Sequence, residues 1–209
     1  MKKLKELNGQ FKNKKALILG NGMSVISFKK FDDTTVFGVN DINKFMDPDI
    51  HVIVDRISKF SEKRKQSILK TKASYVITQE DVGWVFPNNN QYTYKLGKYG
   101  KFDNFNNMDF VDYGLDSPYM SILIAHKLGF KTIGILGVDF TPGHFYAAND
   151  GIHQLEKFKR MKEVIKLYRI LSRKLNETNS TIFNLSKTSR LTSIPFIEWE
   201  EFNKKIKKL

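Results

Sequence analysis

Apolar residues fall along this chain in two patterns. The first is a set of short unbroken runs closed by turn or polar residues: "ALILG" at 16–20, "TTVFGVN" at 34–40, "IHVIVD" at 50–55 and "ASYVIT" at 73–78. "KTIGILGVDF" at 131–140 and "TIFNLS" at 181–186 repeat it later in the chain. Runs of this length with such closures predict strands buried on both faces. The second pattern is helical. Residues 58–72 mix charge with good helix formers. In "SPYMSILIAHKLG" at 117–129, Met120, Leu123, Ile124 and Leu128 share a face, and Gly129 supplies a stop. Residues 152–179 carry a stripe of Leu155, Phe158, Met161, Ile165, Tyr168 and Leu171, which predicts a long amphipathic helix. A last helix is expected over about 197–209. Strands alternating with helices predict an α/β fold, Rossmann-like, with a mostly parallel sheet and flanking helices.

One stretch fits neither pattern. "PNNNQYTYKLGKYGKFDNFNNMDF" at 87–110 is rich in Asn, Gly, Lys and aromatic residues and poor in periodicity. It reads as a long loop or lid, an insertion spanning about 86–115, and loops of this length are often functional. Its aromatics, Tyr92, Tyr94, Tyr99, Phe102 and Phe105, could stack on bases or sugars or simply pack the loop. With no internal repeat and no low-complexity linker, residues 1–209 read as a single domain.

Composition narrows the function classes. At 209 residues and 41% hydrophobic, the chain can bury a sizeable core. It has no cysteine, which excludes disulfides and thiolate zinc sites. The basic N-terminus lacks an apolar segment behind it, and no run is long enough to span a membrane, so the expected location is cytoplasmic. The net charge of +13 attracts polyanions. Because the lysines are spread among acids, a solvated surface is the first reading and a nucleic-acid groove the second.

The chemistry-bearing residues gather at strand ends, where parallel sheets place their ligands. The first strand ends in Gly20, Asn21, Gly22 and Ser24, the second in Asn40 and Asp41, and the third in Asp55 and Arg56. Glycines there would let backbone N–H groups approach a phosphate. A tight strand-to-helix turn would use the same residues, and this is neither a complete dinucleotide fingerprint nor a P-loop. Ser117 and Pro118 suit the first turn of a helix, Ser117 as N-cap, whose free N–H groups could also hold an anion. Asp139 ends a buried strand and is followed within fourteen residues by Thr141, His144, Tyr146 and His153. A histidine in such a segment suits a general base or an ordinary surface role. His153, at a helix start, would be held neutral by the helix N-terminus. His51 and His126 read as structural, and no His or Cys cluster has metal-ligand spacing.

The stretches "LILGNGMSV", "VFGVND", "VIVD" and "SPYMSILIAHKLGFKTIGILGVDF", followed by a histidine, resemble the small bacterial CMP-sialic acid transferases. They also resemble the wider group of 6-hydroxymethylpterin diphosphokinase MptE-like proteins, many of them phage- or capsule-associated. The resemblance implies a nucleotide-binding transferase, with a glycosyl group moved from a CMP- or UDP-type nucleotide sugar to an acceptor hydroxyl. By position it implies that Asn21, Gly22 and Ser24 contact the nucleotide, with Asn40 and Ser117 beside it. Tyr146 would steady the leaving phosphate, the partner tyrosine's place falling near Thr141, and His153 would be the general base. Asp55 stands where the sialyltransferases carry an asparagine, which suits a different nucleotide or a magnesium ion. The alternatives are ATP- and magnesium-dependent diphosphate transfer, modification of a nucleic acid, and a non-catalytic nucleotide-binding module. An acceptor sugar or nucleic acid and a homo-oligomer remain open as partners.

Overall fold

In the run that opens at Lys15, successive side chains leave the backbone in opposite directions, so an all-apolar run needs cover on both sides. Ala16 and Ile18 enter one core; Leu17 and Leu19 enter another across the sheet. The computed structural model describes residues 1–11, 14–87, 90–114, 116–141, 143–146 and 160–205. Among them are nine strands: β1 (Lys2–Lys3), β2 (Lys15–Leu19), β3 (Thr34–Val39), β4 (Ile50–Ile53), β5 (Tyr75–Gln79), β6 (Asn90–Leu96), β7 (Phe110–Val111), β8 (Thr132–Leu136) and β9 (Thr181–Asn184). They form one sheet in the order β1-β6-β5-β4-β3-β2-β8-β9, with β7 beside β6. Every strand pairing is parallel.

The helices are α1 (Glu62–Leu69), α2 (Ser117–Lys127), α3 (Met161–Asn176) and α4 (Trp199–Lys204). On one side of the sheet α2 and α3 close the larger core. Val164, Leu167, Tyr168, Leu171 and Leu175 of α3 are buried there. Of the expected stripe, Met161 and Ile165 sit at the edge, and Leu155 and Phe158 lie outside the described residues. On the other side, α4 buries Trp199 and Phe202 against β2, β8 and β9. Lys15 anchors it: the ammonium is fully buried, 3.0 Å from Asp33 and 2.7 Å from the Asn203 carbonyl. A third cluster packs α1 under β4 and β5 through Phe60, Ile68 and Trp84.

The expectation of a long loop or lid over about 86–115 is corrected at its start, while 97–109 hold neither helix nor strand. Residues 90–96 form β6, an interior strand between β1 and β5. Tyr92 and Tyr94 are core residues, not a stacking platform. The polar residues beside them, Gln91 and Thr93, are buried with partners. Gln91 donates to the Thr78 hydroxyl at 3.1 Å and to the Trp84 carbonyl at 3.0 Å, and it accepts from the Phe86 N–H. The loop after β6 is pinned. The Lys127 ammonium donates to the carbonyls of Asn104, Phe105 and Asn107, while Phe105 stacks on His126 at 4.5 Å. No described helix is long and apolar enough to cross a membrane.

Candidate functional site

The strand order reverses at β2. From there the chain builds outward through β3, β4, β5 and β6, then returns to place β8 on β2's other side. The carboxyl ends on either side of such a reversal splay apart and leave a crevice. A cleft of about 220 Å³ lies there, lined by the residues after β2, β3, β4 and β8 and by the start of α2.

The Gly-Asn-Gly turn is shaped by its neighbour strand. The Gly20 N–H donates to the Leu136 carbonyl and the Gly22 N–H to the Gly137 carbonyl, each at 2.8 Å. A Cβ on Gly20 would stand 2.3 Å from the Gly137 oxygen. Gly137, with φ of +70°, would meet the Gly20 oxygen at 2.4 Å. Only glycine permits this approach. Ser24 N–H donates to Asp139 Oδ2 at 2.7 Å, and the Ser24 hydroxyl donates to Oδ1. Ser186 donates a third bond to that carboxylate at 3.0 Å. The backbone cradle expected from Gly20, Gly22 and Ser24 is therefore corrected: those three N–H groups are already used inside the protein. Asp139 lines the cleft, but its oxygens are engaged by Ser24 and Ser186.

The turn instead offers Asn21. Its backbone carbonyl accepts from Phe145 N–H at 3.0 Å, and its side-chain Oδ1 is buried without a partner. Asn40 is its counterpart after β3. It sits in the left-handed region at φ of +48°, a conformation that asparagine tolerates better than most residues. Its amide nitrogen donates to the Ser117 hydroxyl at 3.2 Å, leaving Oδ1 buried and unpartnered. His51, one strand over, donates from Nε2 to the Asn40 carbonyl at 2.7 Å. His51 is completely buried, and that burial pushes its pKa down to about 4, so the ring is neutral. Phe140, beyond β8, is a second left-handed residue on the cleft wall, at φ of +50°.

Asp55 reaches the cleft from the end of β4, with one oxygen paired to Lys59 at 2.9 Å. Ser117 is the first residue of α2, not its cap. Asp116 caps the helix, accepting from Tyr119 N–H and from the buried Tyr168 hydroxyl, each at 2.8 Å. His144 lines the cleft, and its ring stacks on Tyr146 at 5.3 Å. The Lys44 ammonium lies 4.4 Å from the centre of the Tyr146 ring. His153 lies outside the described residues.

The fold so assembled can be compared with solved structures. Cst-I, a monofunctional alpha-2,3-sialyltransferase from Campylobacter jejuni, matches with a TM-score of 0.56 at 18% identity, over 88% of this chain and 80% of that one. The sialyltransferase CST-II in complex with a trisaccharide acceptor and CMP matches with a TM-score of 0.55 at 15% identity, over 88% of this chain and 86% of that one. CstII from Campylobacter jejuni in complex with the substrate analogue CMP-3FNeuAc gives 0.54 at 15% identity and the same coverage. The chain shares their fold. No family model matches it, and no curated protein matches it by sequence.

The cleft wall also holds residues that the sequence did not single out: Tyr113, Asp116 and Phe140. Asp116 was within reach, since an aspartate before Ser-Pro at a helix start is a strong capping signal. The described lining holds three aspartates, Asp55, Asp116 and Asp139, and neither lysine nor arginine. Among the described residues no group of three or more His, Asp or Glu is placed to hold a metal ion. With Asp139 engaged by serines and Asp55 paired to Lys59, these carboxylates do not form a magnesium ligand set.

Proposed function

We propose that the cleft binds a nucleotide-activated sugar and that the protein transfers the sugar to an acceptor hydroxyl. The observation that carries this is the pair of buried, unpartnered oxygens, Asn21 Oδ1 and Asn40 Oδ1, at adjacent strand ends beside the sheet's reversal. An unmet buried acceptor costs about 1–3 kcal/mol, so such atoms call for a ligand that brings donors. Ribose hydroxyls and exocyclic base amines are donors; a bare phosphate at neutral pH offers almost none. The aspartate-rich lining agrees, since it suits the nucleoside end better than the phosphate. The shared fold with sialyltransferases solved with CMP or a CMP-sugar analogue supports the same ligand class.

In the transfer, the bond from the sugar's anomeric carbon to the phosphate oxygen breaks, and its electron pair stays on the phosphate. The acceptor oxygen bonds to that carbon and yields its proton to a base. We assign the base to His153, with His144 on the cleft wall as the second candidate. Such a base contributes roughly 10²–10⁴ in rate. Asn21, Asn40 and Ser117 hold the nucleoside, and Tyr146 steadies the leaving phosphate.

A thermal-shift screen against CMP, UDP, GDP, ADP and their sugars, with and without magnesium, tests the reading. One nucleotide class should raise the melting temperature by mass action, and Asn40→Ala should abolish the shift. Absence of any shift would sink the reading. A response confined to ADP with magnesium would favour diphosphate transfer instead. With the donor known, His153→Ala should remove transfer and leave nucleotide binding nearly intact.

A further inference from the structure

An aspartate-lined pocket for a nucleotide leaves open where the phosphate finds positive charge. Lys44 stands at the end of the short 3-10 helix Asn40–Lys44, whose first residue is on the cleft wall. Its ammonium is 2.8 Å from Asp41 Oδ1, and its side chain is 30% exposed while that of Asp41 is 0% exposed. Arg64 reaches Asp41 from α1, donating from both Nε and a terminal nitrogen to Oδ2. Burial alone would push the Asp41 carboxyl up, but hydrogen bonds from Arg64 and Lys44 outweigh it and hold it below its ordinary value. Two cations therefore meet at one carboxylate, and Lys44 takes only its Oδ1 side. The Lys44 ammonium also lies over the Tyr146 ring, and that ring's stacking partner is His144 on the cleft wall.

Resting on the nucleotide-sugar reading above, we propose that Lys44 is the cation that reads the donor phosphate and takes up its developing charge as the sugar departs. Asp41 and Arg64 act as positioning residues, holding the 3-10 helix so that the Lys44 ammonium stays beside Tyr146. When the anomeric C–O bond breaks, the phosphate oxygen gains the electron pair, and an ammonium next to it is stabilised more strongly than before the step. Lysine suits this place as a compact point charge on a flexible stem, able to follow the phosphate as its charge grows.

The test separates charge reading from mere support. The full chain is titrated with matched pairs, a nucleoside and its 5′-monophosphate: cytidine and CMP, uridine and UMP, adenosine and AMP, guanosine and GMP. The wild type should bind one monophosphate more tightly than its nucleoside. Lys44→Met should lose about tenfold to a hundredfold in affinity for the monophosphate, the range of one charged hydrogen bond, while nucleoside affinity stays within about twofold. Lys44→Arg, which keeps the charge and the Asp41 pairing, should retain most of the monophosphate preference. A Lys44→Met protein with the wild-type preference overturns the proposal and leaves the nucleotide reading standing. Equal losses for nucleoside and monophosphate also overturn it, because Lys44 would then only support the wall. A wild type that binds neither member of any pair overturns both readings together.

Discussion

Mild acid should destabilise this protein through His51, by an amount that follows from its surroundings. The ring is fully buried, with Nε2 donating to the Asn40 carbonyl at 2.7 Å and Nδ1 buried without a partner. Burial moves the pKa from the ordinary 6.5 to about 4, against the raising influence of the Asn40 carbonyl and of Asp41 and Asp47. Between those two pH values the unfolded chain takes up a proton that the folded chain refuses. The folded state thus keeps its full advantage above about pH 6.5 and loses it as pH falls towards 4. At about 1.4 kcal/mol per pKa unit, the whole effect is about 3 kcal/mol, of which about 2 kcal/mol is already lost at pH 5. Urea unfolding of the wild type and His51→Gln at pH 7 and pH 5 measures it. His51→Gln should be the less stable at pH 7, yet its stability should fall by about 2 kcal/mol less on going to pH 5. The general effect of carboxylate protonation is common to both proteins and cancels. Parallel acid sensitivity in the two would refute the reasoning. His126, also held at about 4 by burial and then by Lys131 and Lys127, should behave in the same way in a His126→Gln variant.

Other substitutions test the scaffold of the cleft. Gly22→Ala would put a methyl 2.6 Å from Asp139 Oδ2 and 2.8 Å from the Gly137 oxygen; thermal melts should show a loss of about 1–3 kcal/mol. Asp139→Asn replaces an acceptor-only group with one that also donates, opposite donors from Ser24 and Ser186. It should cost about 2–3 kcal/mol by denaturant unfolding, with the heaviest rise in amide exchange around Ser24. Lys127, whose pKa burial lowers to about 8, holds its proton less tightly when folded than when unfolded. Stability should therefore rise between about pH 8 and 10.5, and Lys127→Met should lack that rise while loosening the loop carbonyls of Asn104, Phe105 and Asn107, read by amide exchange.

The central strands were legible because a parallel sheet covered on both faces demands unbroken apolar runs, and Ala16 to Leu19 is such a run. β6 was not, because Gln91 and Thr93 look exposed until Gln91 meets its partners at Thr78 and Trp84. β1 has only two residues, both lysines, and exists through its pairing with Tyr92 and Thr93. At the site, the polar strand ends pointed to the right edge of the sheet. What they could not reveal was consumption by neighbours. Ser24 meets Asp139 across 115 positions, so the groups expected to face a ligand instead satisfy one another. His51 read as a structural strand residue. Its bond to Asn40 depends on register, since His51 lies beside Gly38 and so within reach of the residue that follows β3.

The ladder that joins β2 to β8 pairs Leu19 with Leu136, and both walls of the cleft hang from it. During synthesis, the early half of the chain must leave the ribosome and wait for the later half before any pocket exists. A truncated product ending ahead of β8 would lack Asp139 and Gly137, leaving the Gly20–Ser24 turn with nothing to close against. Such long-range parallel pairing folds slowly. Refolding followed by the return of ligand binding should therefore lag behind the return of helical signal.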